Sequence, residues 1–181
     1  MTTMKVALTC GCGQVVLKVQ GNPIISAECL CSDCQKAGAF LQSLPGAPSI
    51  LDNKAATRFV LYRKDRVWCE KGQSRLREYR LSEHSKTRRV VATCCNTPMF
   101  LDFTNGHWLS LYGGLWPVEA LPALEIRTMT RDRPKGVELA DDVPNPSTHT
   151  ISFFAKLFGS WAAMRFRTPK VDFVKGDLNA S

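Results

Sequence analysis

The cysteines constrain this chain more than any other feature. Five of its eight cysteines fall into two short clusters, Cys10 and Cys12 as C-x-C and Cys29, Cys31 and Cys34 as C-x-C-x-x-C. Disulfides between such close neighbours would close strained rings, whereas thiolates at this spacing converge on one metal ion. Zinc, tetrahedral with Zn–S distances of about 2.3 Å, is the default for a sulfur-rich donor set. The stretch Met1 to Thr9 carries one Lys and no apolar segment of useful length. A cytoplasmic location, where thiols stay reduced, is therefore the expectation. In Cys10-Gly11-Cys12-Gly13 the glycines let the backbone turn tightly, so both sulfurs can face one side with N–H groups close by. This is half of a zinc knuckle. Cys94-Cys95-Asn96-Thr97-Pro98 reads as the other half, with Asn96 where a positive φ is wanted. Joined, the halves would pin the N-terminal strand to the centre of a sheet.

The rest of the chain says what the cysteines would pin. A length of 181 residues suits a single core, and 44% hydrophobic with 22% charged residues excludes general disorder. The greasiest stretch, Ile151 to Phe166, is broken by Lys156, Ser160 and Arg165, so no membrane span is expected. Val15, Leu17 and Val19 alternate with polar residues, and Phe59 to Tyr62, Val67 to Cys69 and Trp108 to Tyr112 are rich in β-formers. Leu76 to Leu81 fits either a strand or a helix period. With Gly and Pro punctuating the intervals, the pattern is all-β. One amphipathic helix follows near the C-terminus, with Ile151, Phe154, Phe158 and Trp161 on its apolar face and Ser152, Lys156, Ser160 and Arg167 opposite. That face is expected to pack on the sheet or on a second copy in a homo-oligomer.

The net charge of +8 is concentrated between Arg58 and Val90. A nucleic-acid face is the rival reading of this stretch. It interleaves only Phe59, Tyr62, Trp68 and Tyr79 and carries no RNA-binding signature, so a solvated surface is expected instead. Cys69 reads as an apolar strand residue, His84 as solvated, His107 as a strand-edge residue and His149 as a helix-opening cap.

Taken in order, Leu8-Thr9-Cys10-Gly11-Cys12-Gly13, then Cys29-Leu30-Cys31-Ser32-Asp33-Cys34-Gln35-Lys36-Ala37-Gly38, then Gly72 to Tyr79 and finally Cys95-Asn96-Thr97-Pro98 resemble the glutathione-dependent formaldehyde-activating enzyme family. That family includes the centromere protein V type of domain. The resemblance implies a twisted, zinc-pinned β-tent over residues 1–125, followed by a connector and helical extension, 126–181, packed on the same domain. It also implies two zinc sites. Cys10, Cys12 and Cys95 would hold a structural ion, and Cys29, Cys31 and Cys34 a catalytic-type ion. The chain departs from the family where the late C-x-x-C-G motif should begin: Ala92 replaces its first Cys, Asn96 its Gly, and Cys94 is new. Cys94 as the fourth ligand is the favoured outcome, beside a three-coordinate site or none.

Three thiolates leave one tetrahedral position free, and a sulfur-rich ion favours a soft thiol there over water. A thiol so held is a thiolate at neutral pH, able to add to a small carbonyl or leave a thiohemiacetal. The implied function is a zinc-dependent carbon–sulfur lyase acting on a glutathione-type adduct of a small aldehyde, with arginines of the basic stretch holding the carboxylates of the thiol. The competing readings are a second structural zinc in a non-enzymatic interaction module and, further off, nucleic-acid binding.

Overall fold

The computed structural model describes residues 5–178. A three-stranded antiparallel sheet runs β1 (Lys5–Thr9), β2 (Val16–Gln20) and β5 (Val67–Lys71). A seven-stranded sheet has the order β10-β3-β4-β9-β8-β7-β6, formed by β3 (Ile25–Cys29), β4 (Thr57–Arg63), β6 (Leu76–Tyr79), β7 (Thr87–Ala92), β8 (Thr97–Phe103), β9 (Trp108–Tyr112) and β10 (Ile126–Thr128). The alternation in the first hairpin works as its sequence demands: Leu8 pairs with Leu17 and both are fully buried. The central strands β4, β8 and β9 are buried on both faces, as their continuous apolar runs require, and the side chains of both sheets meet in one core. The fold is thus mostly β with a C-terminal helix. Among the described residues no helix is long and apolar enough to cross a membrane.

A second helix was not expected. The helix α1 (Ser32–Gln42) leaves β3 through the cysteine cluster, and its buried face is Cys34, Ala37, Gly38 and Leu41. That spacing is helical, but Cys, Ala and Gly are too small to register as an apolar stripe. The smallness has a packing reason at Gly38, where an added Cβ would stand 2.6 Å from Leu51 Cδ2. The ambiguous stretch after Arg75 becomes the edge strand β6. Its outer side bonds the C-terminal segment through Glu78 N–H to the Gly176 carbonyl at 3.0 Å and Leu178 N–H to the Glu78 carbonyl at 2.7 Å, which covers an otherwise open edge.

Downstream of residue 125 the chain returns to the sheet. β10 pairs in parallel with β3, and buried Arg127 is held by Glu28 at 2.8 Å and Asp142 at 2.6 Å. The helix α2 (Ile151–Ala163) is capped by Thr150, whose Oγ1 accepts from Phe153 N–H at 3.1 Å. Its buried stripe is not the expected one. Phe153 and Leu157 face inward, with Met164 just beyond the helix, while Ile151 is 90%, Phe154 55% and Phe158 59% exposed. The helix is apolar on nearly every side, so two stripes competed. The inward one is chosen by Ser160, whose Oγ lies 2.8 Å from His107 Nε2.

Candidate metal centres and the adjoining cavity

The two turns that bring four cysteines together are built from local backbone chemistry. In the β1–β2 turn Gly13 N–H donates to the Cys10 carbonyl at 2.9 Å with Gly13 at φ +77°, and Val15 N–H donates to Cys10 Sγ at 3.2 Å. In the β7–β8 turn Asn96 adopts φ +53°, the conformation its type tolerates after Gly, and its side chain donates to the Pro45 carbonyl at 2.9 Å. Thr97 Oγ1 links the turns, accepting from Gly11 N–H and lying 3.0 Å from Cys95 Sγ. As a result the sulfurs of Cys10, Cys12, Cys94 and Cys95 lie within 4.8 Å of one another. Cys10 Sγ is 3.7 Å from Cys12 Sγ and 3.8 Å from Cys94 Sγ, and Cys94 Sγ is 4.0 Å from Cys95 Sγ. A zinc ion with four sulfurs at its usual bond length has tetrahedral edges of about 3.8 Å, so this set has the chemistry and spacing to hold a metal ion. Burial pushes the Cys95 thiol up, but hydrogen bonds from the Thr97 hydroxyl and the Cys12 N–H outweigh it and bring it down to about 6. Burial and the neighbouring Cys12 and Cys10 sulfurs push Cys94 up.

The second cluster sits where β3 passes into α1. Cys29 ends the strand, Cys31 is the N-cap of the helix, and Cys34 lies in its first turn, with Cys34 N–H donating to Cys31 Sγ at 3.4 Å. The three sulfurs lie within 4.8 Å of one another, and among the described residues no fourth Cys, His, Asp or Glu joins them. Their mutual hydrogen bonds make one thiolate favourable at the expense of the others. Cys31 is lowered to about 2, first by the Cys29 and Cys34 thiols and also by the Arg89 charge, while Cys29 is raised to about 11 by its bond to Cys31. Cys34 is likewise pushed up by sharing with Cys29 and Cys31. The positive end of α1 favours negative charge at the same place.

Arg89, read from the sequence only as one of the arginines of the basic stretch, is instead buried beside the second cysteine cluster. It is 2% exposed, its Nη2 donates to the Asp33 carbonyl at 3.4 Å, its Nη1 has no partner, and no carboxylate pairs with it among the described residues. A buried guanidinium without a carboxylate is costly unless a negative charge lies near, and the thiol cluster supplies one. The signal was available: Arg88 and Arg89 are consecutive in a strand, so they must point to opposite faces. Arg88 goes outward to Glu78 at 2.7 Å and Asp102 at 3.0 Å. Arg89 goes inward to the cysteines.

A cavity of about 360 Å³ opens beside Cys29, Cys31 and Cys34. Arg89 and His149 also line it. His149 is not the helix cap; its ring stacks on Phe153 at 4.7 Å, and burial holds its pKa below the usual value. His107 stands at the edge of β9, directly before its first residue. It is 6% exposed, stacked on Trp161 at 5.8 Å, and ties α2 to the sheet. Cys69 is half-buried in β5, with Sγ 3.2 Å from the Lys71 carbonyl, and His84 is exposed. Much of the basic stretch is paired internally: Arg63 with Asp65, Arg80 and Arg88 with Glu78, and buried Lys64 with Asp102 at 2.7 Å.

Comparison with known proteins gives a local match. The family model described as Glutathione-dependent formaldehyde-activating enzyme matches residues 5–47. No curated protein matches the chain. Among solved structures, the crystal structure of a Rhodobacter sphaeroides protein, a structural-genomics target, aligns with a TM-score of 0.45 and 16% identity, covering 79% of this chain and 100% of that one. From β1 to the end of α1, the stretch that carries Cys10, Cys12, Cys29, Cys31 and Cys34, this chain is similar to the glutathione-dependent formaldehyde-activating enzyme family.

Proposed function

We propose that the chain is a cytoplasmic zinc enzyme that makes or breaks the bond between a thiol and an aldehyde, with a glutathione-type thiol as co-substrate. The observation that carries this reading is a set of three convergent sulfurs, with no fourth donor beside them among the described residues, in the wall of a cavity. In this reading Cys10, Cys12, Cys94 and Cys95 would hold a structural zinc that ties β1–β2 to β7–β8, and Cys29, Cys31 and Cys34 would hold a second. Residues 1–125 form the zinc-bearing domain, which 126–181 completes. A zinc ion with three thiolates supplies Lewis acidity and lowers the pKa of an incoming thiol.

The remaining work falls to the protein. Arg89, which lines the cavity, would donate a hydrogen bond to the carbonyl oxygen, which gains charge as the thiolate sulfur bonds to the carbonyl carbon and the C–O π pair moves to oxygen. His149, whose pKa burial holds below the usual value, would take the proton released as the thiol ionises and, as imidazolium, pass it to that oxygen, with both transfers reversed when the adduct releases aldehyde. The test is exchange between free aldehyde and its glutathione adduct, followed by NMR. Zinc-loaded protein should accelerate exchange. Cys31→Ser should abolish the acceleration, and Arg89→Met should reduce it by roughly a hundredfold, the loss usual for one oxyanion donor. Exchange that no amount of protein accelerates, for any aldehyde tried, overturns the reading. The exposed Phe154 and Phe158 on α2 favour, as a second reading, an interaction module with two structural ions.

A further inference from the structure

The cavity says more about the substrate than the cysteines do. Formaldehyde is close to a water molecule in size, and water's share of liquid volume is about 30 Å³. The cavity offers about 360 Å³, some ten times more, and a dry cavity of about 150 Å³ suffices to bind benzene. Away from the sulfurs its walls are mostly apolar, with the hydroxyls of Thr87 and Ser110 among them. Phe59 and Leu61 come from β4, Leu101 from β8, Trp108 from β9, and Phe153 and Leu157 from α2. Water in such a space finds few partners. The α2 wall belongs to the part of the chain beyond residues 5–47, where the family match lies.

We infer that the carbonyl compound handled here carries a bulky apolar substituent, aryl or branched alkyl, which fills the cavity while its carbonyl carbon faces Cys29, Cys31 and Cys34. This rests on the thiol–aldehyde reading above, and its test is arranged to fail separately. Acetophenone and acetone, carbonyl compounds that resist stable thiol addition, are titrated into zinc-loaded protein by calorimetry. Burial of a phenyl ring should make acetophenone bind roughly thirtyfold or more tightly than acetone, with a negative heat-capacity change. Ala27 lines the cavity on β3, two residues before Cys29. Ala27→Leu should narrow the space and weaken acetophenone at least tenfold while leaving acetone unchanged. Phe154, half-exposed at the cavity mouth, provides a milder variant, and Phe154→Ala should weaken acetophenone a few-fold in a protein of unchanged melting temperature. In the exchange assay, benzaldehyde should exceed formaldehyde in kcat/KM. Equal affinities for the two ketones, or indifference to both substitutions, overturns the inference and leaves the enzyme reading standing if formaldehyde adducts still exchange. Tight acetophenone binding without exchange of any adduct supports the apolar site and overturns the enzyme reading instead.

Discussion

Replacing Cys10 by Ser and replacing Cys34 by Ser make the same chemical change at two almost equally buried positions, 3% and 7% exposed, yet the two variants should differ in stability. The difference comes from the loops that the two metal ions would close. Cys10 and Cys94 are 84 positions apart, while Cys29 and Cys34 are five positions apart and already neighbours through β3 and α1. Loop-closure entropy scales as (3/2)RT ln n, so the long closure removes about 2.5 kcal/mol more from the unfolded ensemble than the short one. A metal that bridges the long loop makes its binding energy folding energy. For a chain of this length 1 kcal/mol moves the melting temperature by about 2–4 °C. Cys10→Ser should therefore melt about 5–10 °C below Cys34→Ser, measured by circular dichroism in zinc-containing, reducing buffer with metal content determined on the same samples. In excess chelator the gap between the variants should collapse. Equal losses in zinc, or a gap that survives the chelator, would refute the assignment of distinct structural roles to the two clusters.

Three further outcomes follow from the same structure. Elemental analysis of protein purified without chelator should give two zinc ions per chain, one for each cluster, and Cys94→Ser should retain the ion at Cys29, Cys31 and Cys34 while weakening the other; unchanged content and stability would remove Cys94 from the donor set. Asp102, 3% exposed, bonds Lys64 at 2.7 Å and Arg88 at 3.0 Å; Arg88 keeps Glu78, but Asp102→Ala strands the buried Lys64 cation and should cost about 3–5 kcal/mol in urea unfolding, with part of the loss recovered by adding Lys64→Met. Burial lowers the pKa of His107 below its ordinary 6.5, so as pH falls below 6.5 the unfolded chain takes up the proton first. The His107 contribution to stability is complete above that pH and declines until its folded-state value is passed. His107→Gln should flatten the slope of melting temperature against pH between 6.5 and 5.5, and an unchanged slope would contradict it.

The cysteine sites were legible because sulfur spacing is a local signal. Cys10 and Cys12 sit in one tight turn and Cys29, Cys31 and Cys34 at one strand–helix junction, and even the positive φ of Asn96 could be read from its position in the second knuckle. Strands β2, β4, β5 and β9 were legible for the same reason, since their alternation or continuous apolarity is set within five residues, whereas β3, β7, β8 and β10 were not read from the sequence. What was hidden depended on partners far along the chain. The small-residue face of α1 makes sense only once Leu51 lies on Gly38. The inward stripe of α2 is selected by His107 and the cavity rather than by its own periodicity, and His149 meets the cysteine cavity across more than a hundred residues of sequence. Arg89 carried a readable local hint, but its meaning required the thiolates that it faces.

The central claim is that the ion held by Cys29, Cys31 and Cys34 keeps one position for a thiol, and cobalt substitution tests it most directly. Cobalt in this site should show sulfur-to-metal charge-transfer and ligand-field bands that change on adding glutathione and change far less with S-methyl glutathione, which has no ionisable thiol. In Cys31→Ser the response should vanish, while the bands from Cys10, Cys12, Cys94 and Cys95 persist. A spectrum of closed four-sulfur sites that no thiol alters would contradict the claim and leave two structural metal centres in its place.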